Sequence, residues 1–227
     1  MDERTVVVTG GTGGIGRAVA EAFAAEGSTV VIGARDGSEI ETVVEGLETD
    51  ATGLETDVRD ASDCARLMET ASSFGDGIDV VVAAAGVYHG TPGGTPLDDE
   101  TYSAFDDTVR TNARGVFTTI AEALLHLNDG ARVLVPTGSV AREKSAGYGA
   151  YAVSKATAEA VVRGFGADTE YVVGCLEPGI VATDLTGGAG REPESIAGMF
   201  VWAALEADPD DVDGNVVGLG EWKRATR

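Results

Sequence analysis

Apolar residues along the chain come in short continuous runs that alternate with amphipathic segments. Continuous apolar runs of about four to eight residues, rich in β-branched side chains, are typical of parallel strands buried on both faces. Such runs occur at residues 5–8, 28–33, 51–57, 78–85, 132–136, 170–176 and 215–219. Apolar residues with helical spacing occur at residues 17–25, 38–47, 61–74, 99–127, 149–165 and 194–205. This alternation predicts a single α/β domain over residues 1–227, in which a doubly wound parallel sheet of about seven strands lies between helices in three αβα layers.

The first predicted strand leads directly into a glycine-rich segment, residues 10–16, and then into a helix. Glycines let a backbone turn tightly and approach a pyrophosphate, and a helix N-terminus offers unpaired N–H groups to an anion. Strand, glycine turn and helix in this order predict a Rossmann-type dinucleotide site, although a flexible turn has the same composition. The residues expected to bind the cofactor there are Gly10, Thr12, Gly13, Gly14, Ile15 and Gly16.

The end of the second predicted strand indicates which dinucleotide binds. An arginine at this point accommodates the 2′-phosphate of NADP, whereas an acidic residue binds the 2′-hydroxyl of NAD. Arg35 favours NADP(H), and Asp36 directly after it leaves NAD(H) open. Asp57 ends the third predicted strand, where a carboxylate lies either at the cofactor crevice or in a solvated turn.

Tyr151 and Lys155 are four residues apart in a predicted helix, so both side chains lie on one face. A tyrosine titrates near ~10, and a neighbouring cation lowers that pKa toward the range useful for general acid–base catalysis. Ser139 lies a short loop upstream, at the end of the fifth predicted strand. Asn112 lies near the middle of a long predicted helix, where asparagine is unfavourable. Its presence there indicates either a catalytic role for its side chain or a structural kink.

Acidic residues outnumber basic ones across the whole chain, 38 to 16, for a formal net charge of −22. Such an excess argues against nucleic acid and anionic membranes as partners. It also favours adaptation to a cytoplasm near molar salt, as in a halophilic organism, over an ordinarily acidic surface, because the acid is spread evenly. Cys64 and Cys175 form no metal or disulfide motif, so we expect free thiols, no metal site and a reducing compartment. The N-terminal residues show neither a signal peptide nor a membrane span, and a cytoplasmic location is expected.

In combination these segments resemble the short-chain dehydrogenase/reductase family over nearly the full chain. The cofactor motif of that family corresponds to Thr9, Gly10, Gly14, Ile15 and Gly16. Its catalytic set corresponds to Asn112, Ser139, Tyr151 and Lys155, and its Pro-Gly turn to Pro178, Gly179 and Thr183.

The resemblance implies a role for each catalytic residue. Tyr151 would exchange a proton with a carbonyl or alcohol, and Lys155 would bind the nicotinamide ribose and lower the pKa of Tyr151. Ser139 would hydrogen-bond the substrate oxygen. Asn112 would sit at a helix distortion and hold a water that links Lys155 to solvent.

The resemblance also implies further cofactor contacts and an assembly. These contacts are Asp57 and Val58 at adenine, Ala84, Ala85 and Gly86 after the fourth strand, and Val181 and Thr183 near the carboxamide and phosphate. Where the family usually has Asn-Asn-Ala-Gly, this chain has Ala83, Ala84, Ala85 and Gly86, so side-chain bonds of two asparagines beside the cofactor are lost. The segment 184–193 is short, which implies an open pocket. A homo-oligomer, tetramer or dimer, would form through the helices that carry Asn112 and Tyr151.

The function implied is an NAD(P)(H)-dependent oxidoreductase that interconverts a carbonyl and a secondary alcohol. A 3-oxoacyl thioester, a sugar or polyol, and a simple alcohol remain open as substrates. The alternative is a nucleotide-sensing or scaffold protein on the same fold; an epimerase or dehydratase is disfavoured by the short region after Thr183. Substrate selection would fall to residues 87–96, 141–150 and 185–192, with His89 and Tyr148 as candidates and Tyr88 as a packing residue.

Overall fold

Seven parallel strands form one sheet in the computed structural model, which describes residues 4–227. The strands are β1 (Thr5–Thr9), β2 (Thr29–Ala34), β3 (Ala51–Glu55), β4 (Ile78–Ala83), β5 (Leu127–Pro136), β6 (Val172–Glu177) and β7 (Val216–Gly218). Their order in the sheet is β3-β2-β1-β4-β5-β6-β7. The predicted fold class, a doubly wound parallel sheet in three layers, is confirmed.

Helices cover both faces of the sheet. They are α1 (Gly14–Ala25), α2 (Gly37–Gly46), α3 (Ala61–Phe74), α4 (Tyr102–Val109), α5 (Gly115–Ala123), α6 (Gly149–Asp168), α7 (Glu194–Leu205), α8 (Pro209–Val212) and α9 (Leu219–Ala225). Val6 and Val8 of β1 point into a core shared with α1, α2 and α7. Val7 between them points into a second core, shared with α3, α5 and α6. Successive strand residues thus bury opposite faces, which is why the strands are apolar without alternation.

The strand order reverses between β1 and β4, which are neighbours although five elements, α1, β2, α2, β3 and α3, separate them in sequence. Chains leaving two such strands run to opposite sides, and the crevice that opens at their carboxyl ends binds ligands in doubly wound sheets. Gly10 and Ala84 follow β1 and β4 at this crevice.

The predicted helix over residues 99–127 is wrong in three respects. It begins only at Tyr102, it passes through a π-helical turn at Arg110–Arg114, and it ends at Ala123. The end comes early because Leu127 pairs with Ile78 and starts β5. That strand is irregular around the exposed Gly130, so the apolar run at 132–136 marks only its second half.

The two helices nearest the C-terminus were not predicted. Asp208 caps α8 by accepting from the backbone N–H of Asp210, and α9 takes over the end of the strand predicted at 215–219. In the described part of the chain, no helix is both long and apolar enough to cross a membrane.

Candidate active site

The predicted site residues gather at one edge of the sheet. Gly10, Arg35 and Asp57 follow β1, β2 and β3, while Ala84 and Ser139 follow β4 and β5. Pro178 and Gly179 follow β6. Because the strands are parallel, all of these residues lie at their carboxyl ends, the side on which doubly wound sheets bind nucleotides.

The glycine-rich turn packs so closely that side chains would not fit. A Cβ on Gly16 would lie 2.2 Å from the carbonyl oxygen of Gly10, and one on Gly14, whose φ is +50°, would lie 2.9 Å from Cγ2 of Thr183. Gly13 is the N-cap of α1 with no side-chain cap, and the space around it is open. The first N–H groups of α1 therefore face open space, which is the arrangement that binds phosphates at helix N-termini; we call this turn the glycine cradle. Ile15 packs its side chain against the core while remaining partly exposed.

The loop after β6 closes this cradle from the other side. Ala182 donates its N–H to the carbonyl of Arg191 at 2.8 Å, and Arg191 donates to Ile180 at 2.9 Å. Thr186 Oγ1 donates to the carbonyl of Val181 at 2.7 Å. The short segment that follows Thr183 is thus a compact turn held by its own backbone.

The ribose end of the crevice presents Arg35 and a carboxylate already in use. Asp36 Oδ1 accepts from the backbone N–H of Ser38 at 2.9 Å and of Glu39 at 3.2 Å, which caps α2. The Ser38 hydroxyl, together with these N–H groups, holds the pKa of Asp36 below its usual value. Arg35 is exposed beside it, and its charge also acts on Asp57.

A charged network that the sequence did not predict surrounds Asp57. Arg59 contacts both carboxylate oxygens of Asp57 and reaches Asp107 on α4 at 2.6 Å. The Arg59 guanidinium holds the pKa of Asp57 below its usual value. Nε2 of His89 lies 2.7 Å from Asp107, so this histidine binds a protein carboxylate. Val58 is buried, with its side chain against the position of Gly115, and offers adenine little surface.

Thr9 braces the chain after β4 in place of the asparagines that are absent. Its carbonyl oxygen accepts from Ala84 N–H at 3.2 Å, and its Oγ1 lies 3.5 Å from Ala85 N. The chain after β4 is therefore held to the end of β1 through Thr9. Gly86 lies close to Asn112: a Cβ at position 86 would be 3.3 Å from Oδ1 of Asn112.

Asn112 lies in the π-helical turn and is buried. Its Oδ1 accepts from Val87 N–H at 2.7 Å, and its Nδ2 donates to the Val87 carbonyl at 2.9 Å and to Ser154 Oγ at 3.1 Å. The Asn112 amide thus joins the loop after β4 to α6. These hydrogen bonds give the asparagine a structural role inside the helix in addition to any kink. Single π turns of this kind are frequent at functional sites.

Tyr151 and Lys155 lie together on α6, with Lys155 Nζ 5.7 Å from the centroid of the Tyr151 ring. Nζ donates to the carbonyl of Pro136 at 2.9 Å. Burial raises the pKa of Tyr151 to about 12 and lowers the pKa of Lys155 to about 8. The pKa of Tyr151 is thus shifted in the direction opposite to the one expected from Lys155, and the cause is desolvation of the phenol.

Ser139 opens a short 3-10 turn, Ser139–Ala141, directly after β5, and this turn packs against α6. Its Oγ donates to Glu143 Oε2 at 3.1 Å. Pro136, the partner of Lys155, lies three residues upstream. The serine and the tyrosine helix are therefore tied to the same strand end.

Tyr88 covers the catalytic tyrosine candidate from the loop after β4. The two ring centroids are 4.9 Å apart, with the Tyr88 and Tyr151 planes tilted by 34°. The Tyr88 hydroxyl lies 3.1 Å from the carbonyls of Thr91 and Gly147. Tyr88 does pack, as expected, but it packs on Tyr151, and it joins two of the three loops assigned to substrate selection. An aromatic residue two positions after the Gly86 turn was the only signal in the sequence.

Within residues 4–227, no three His, Cys, Asp or Glu side chains come close enough to hold a metal ion. Cys64 and Cys175 are both buried free thiols. The site consists of a glycine cradle, a basic ribose end and a Tyr–Lys pair on one edge.

Comparison with known proteins agrees with this arrangement. A family model described as short chain dehydrogenase matches residues 4–194. Versicolorin reductase 1 of Aspergillus parasiticus is 32% identical over 201 residues, which cover 85% of this chain and 75% of the relative. The chain belongs to the short-chain dehydrogenase/reductase family.

Solved structures of this family of oxidoreductases have the same fold. The alcohol dehydrogenase of the archaeon Thermococcus sibiricus, complexed with 5-hydroxy-NADP, has a TM-score of 0.83 and 27% identity, with 96% of each chain covered. A short chain dehydrogenase from Burkholderia cenocepacia in complex with NADP has a TM-score of 0.85 and 26% identity, with 95% of each chain covered. The resemblance to the short-chain dehydrogenase/reductase family, which rested on motifs, is confirmed over nearly the whole chain.

Proposed function

We propose that this protein is an NADP(H)-dependent oxidoreductase that interconverts a carbonyl and a secondary alcohol, with Tyr151 as the general acid or base. The observation that carries the proposal is the position of the Tyr151–Lys155 pair. It lies on the same sheet edge as the glycine cradle, with the phenol protonated and the ammonium within 5.7 Å of its ring. A protein that only binds nucleotides has no need of such a pair.

Each residue then has a defined task. Bound NADP(H) supplies or accepts the hydride. Tyr151 donates its phenolic proton to the substrate oxygen in reduction and removes it in oxidation. Ser139 Oγ hydrogen-bonds the same oxygen where negative charge develops, and Lys155 stabilises the phenolate as the proton leaves. Asn112 holds the loop after β4 against α6, which keeps Tyr151 in position.

The cofactor would be held by four groups of residues. Gly10, Thr12, Gly13, Gly14, Ile15 and Gly16 would receive the pyrophosphate, together with Thr183. Arg35 would bind the 2′-phosphate. Asp57 and the backbone at Val58 would meet adenine, and the backbones at Ala84–Gly86, Pro178, Gly179 and Val181 would line the nicotinamide side.

The test of this function is oxidation of NADPH with a panel of carbonyl compounds. The panel should include 3-oxoacyl thioesters, sugars and simple ketones, and also aromatic ketones, because Tyr88 and Tyr148 place two aromatic rings in the loops around Tyr151. We expect turnover with at least one class. Tight NADPH binding without reduction of any carbonyl would favour a nucleotide-sensing or scaffold role instead.

Replacing Arg35 should change cofactor preference. Asp36 Oδ1 accepts the cap bonds of α2, and Arg35 is an exposed cation directly before it at the end of β2. Hydrogen bonds to charged groups contribute about 1.5–3 kcal/mol, so Arg35→Ala should weaken NADPH binding about 10- to 100-fold and leave NADH binding unchanged. Fluorescence titration with both nucleotides measures this, with Arg66→Ala on α3 as the matched surface control. Equal losses for the two nucleotides would contradict NADP preference.

The surface of α5 and α6 supports a homo-oligomer. Phe117 is 50% exposed and its ring centroid lies 5.6 Å from that of Phe165, which places an aromatic pair across both helices. We propose that these helices pair with a second copy of the chain, as a dimer or tetramer, and light scattering of the purified protein gives the order. The partners proposed are a small-molecule carbonyl or alcohol and other copies, not nucleic acid or membrane.

We also propose that the protein is adapted to high salt, because its net charge is −22. Its two buried free thiols support a reducing cytoplasm as its location. At molar salt the Debye length is about 3 Å, so self-repulsion between surface carboxylates is largely screened. Raising KCl from 0.1 M to 2 M should therefore raise the melting temperature by about 5–10 °C, or about 2–3 kcal/mol for a chain of this size. Differential scanning calorimetry measures the shift. An unchanged melting temperature would mean that the acidic surface is not a salt adaptation.

A further inference from the structure

A buried carboxylate lies behind the catalytic pair on the same helix face. Glu159 follows Lys155 by one turn and Tyr151 by two, and it is only 2% exposed. Its Oε1 accepts from Thr137 Oγ1 at 2.7 Å. A buried carboxylate needs a cation as well as hydrogen bonds, since an unpaired buried charge is strongly destabilising.

Arg142 supplies that cation and reaches a second carboxylate. One of its terminal nitrogens contacts Glu159 and the other contacts Glu177. Its own backbone N–H donates to the carbonyl of Ser139 at 2.9 Å. Glu177 is the last residue of β6, directly before Pro178. Arg142 thus connects the three elements: its backbone lies in the serine turn, and its side chain binds the tyrosine helix and the end of β6 before the Pro-Gly turn.

The contacts around β5 reinforce this connection. Lys155 Nζ binds the Pro136 carbonyl, and Thr137, the next residue, binds Glu159. Ser139 follows two residues later. The face of α6 that carries Tyr151, Lys155 and Glu159 is therefore bound to the end of β5, directly before Ser139. Arg142 joins the same region to the end of β6 through Glu177.

We propose that Arg142 is a positioning residue, which holds Ser139 against the Tyr151 helix and against the Pro178-Gly179 turn by binding Glu159 and Glu177 together. In this role it acts through Ser139, Glu159 and Glu177 and takes no step of the reaction itself. The planar guanidinium suits this task because it presents its donors in a fixed fork, whereas an ammonium is a single point of charge. The inference rests on the proposed function for its catalytic consequence, but its structural consequence can be measured without turnover.

Three variants separate positioning from simple charge balance. Arg142→Met leaves Glu159 unpaired, so it should lower the melting temperature and also reduce kcat. Arg142→Met with Glu159→Gln removes the buried orphan charge, keeps an acceptor for Thr137 and leaves only the partly exposed Glu177 without its cation, so most of the melting temperature should recover. Positioning predicts that kcat stays about 10- to 100-fold low in this double variant, because misplaced catalytic groups cost rates of that order. For Arg142→Lys, kcat should lie between that of the wild-type protein and that of Arg142→Met, because the ammonium keeps the charge but not the fork of donors.

The measurements are melting temperature, kcat and KM for the best carbonyl of the panel, NADPH affinity, and hydrogen exchange of residues 137–148 and 177–180. In the double variant we expect a low kcat, smaller changes in NADPH affinity and KM than in kcat, and exchange at least about 10-fold faster in both segments. Arg163→Met, which removes an exposed arginine from the same helix, is the control and should change none of these.

Recovery of kcat together with the melting temperature would overturn the proposal, since Arg142 would then only balance charge. Unchanged exchange in the two segments would overturn it as well, whether or not a substrate is found. If the wild-type protein reduces no carbonyl, the proposed function fails, while exchange in the double variant still decides whether Arg142 joins the three elements.

Discussion

Replacing Tyr151 with phenylalanine is expected to lower kcat/KM for carbonyl reduction by about 10³-fold, within the range of general acid catalysis. The substitution removes one hydroxyl and keeps the ring that packs on Tyr88 at a centroid distance of 4.9 Å. Burial raises the pKa of Tyr151 to about 12, so the phenol is a proton donor throughout the physiological range. Steady-state kinetics should show the loss in kcat, while fluorescence titration shows unchanged NADPH affinity.

Tyr88→Phe is the matched control for this experiment. It also deletes one phenolic hydroxyl beside the site, but that hydroxyl contacts the carbonyls of Thr91 and Gly147 and no reacting group. We expect a loss of less than about 10-fold, through looser loops, because a neutral hydrogen bond contributes about 1 kcal/mol. Equal losses in the two variants, or full activity of Tyr151→Phe, would remove Tyr151 from the role of acid.

The sheet could be predicted from sequence because each strand is buried on both faces. A run such as Val6 to Val8 contains no polar residue that could face solvent, so it predicts a strand buried on both faces. The glycine turn that follows it marks where the strand ends. Boundaries were less well predicted where apolar composition continues past an element. The helix predicted to residue 127 ends at Ala123, since pairing of Leu127 with Ile78 is a contact between distant residues that helical spacing does not reveal.

The position of a site residue could be predicted from the sequence where that residue comes shortly after the carboxyl end of a predicted strand. Gly10, Asp57, Ser139 and Tyr151 all lie at positions where a parallel sheet must bring residues to one edge. Contacts across elements were not predictable. Arg142 has no motif around it, and its importance follows only from Glu159 and Glu177 being brought to its two nitrogens by different elements.

The direction of the Tyr151 pKa shift shows the same limit. Sequence places Lys155 one turn away and predicts a lower pKa, since an adjacent cation favours the phenolate. The structure places that ammonium on the Pro136 carbonyl and buries the phenol, and desolvation then decides the sign. Spacing along a helix tells which groups are neighbours, but not how much water each keeps.

Burial also shifts the titration of Lys155, and this shift predicts a pH dependence. Its pKa is lowered to about 8, so the ammonium predominates below that pH and the neutral amine above it. The proposed reduction needs the ammonium to stabilise the phenolate that Tyr151 becomes. The kcat/KM for NADPH, which reports ionisations of the free enzyme, should therefore fall as pH rises through about 8, by about 10-fold for each further unit.

Unfolding through this group does not explain such a fall. The folded-state pKa of Lys155 lies below the ordinary lysine value of 10.5, so between these two values the unfolded chain binds more protons than the folded one. Stability from this residue therefore increases with pH in that window. Tyr151, whose folded-state pKa is raised, lowers stability only above pH 10. The loss of rate near pH 8 would thus come from the site itself, and circular dichroism across the same range should show an intact fold.

Lys155→Met tests this assignment directly. It removes the charge and keeps most of the side-chain length, so kcat/KM should fall about 100-fold at pH 7 and should no longer change between pH 7 and 9. Lys155→Arg keeps the charge to pH values above 12, so it should also lose the decline near pH 8 while retaining more activity than the methionine variant. A methionine variant that still declines through pH 8 would assign that ionisation to another group. A wild-type profile that stays flat to pH 9.5 would mean that the ammonium of Lys155 is not required for proton transfer from Tyr151.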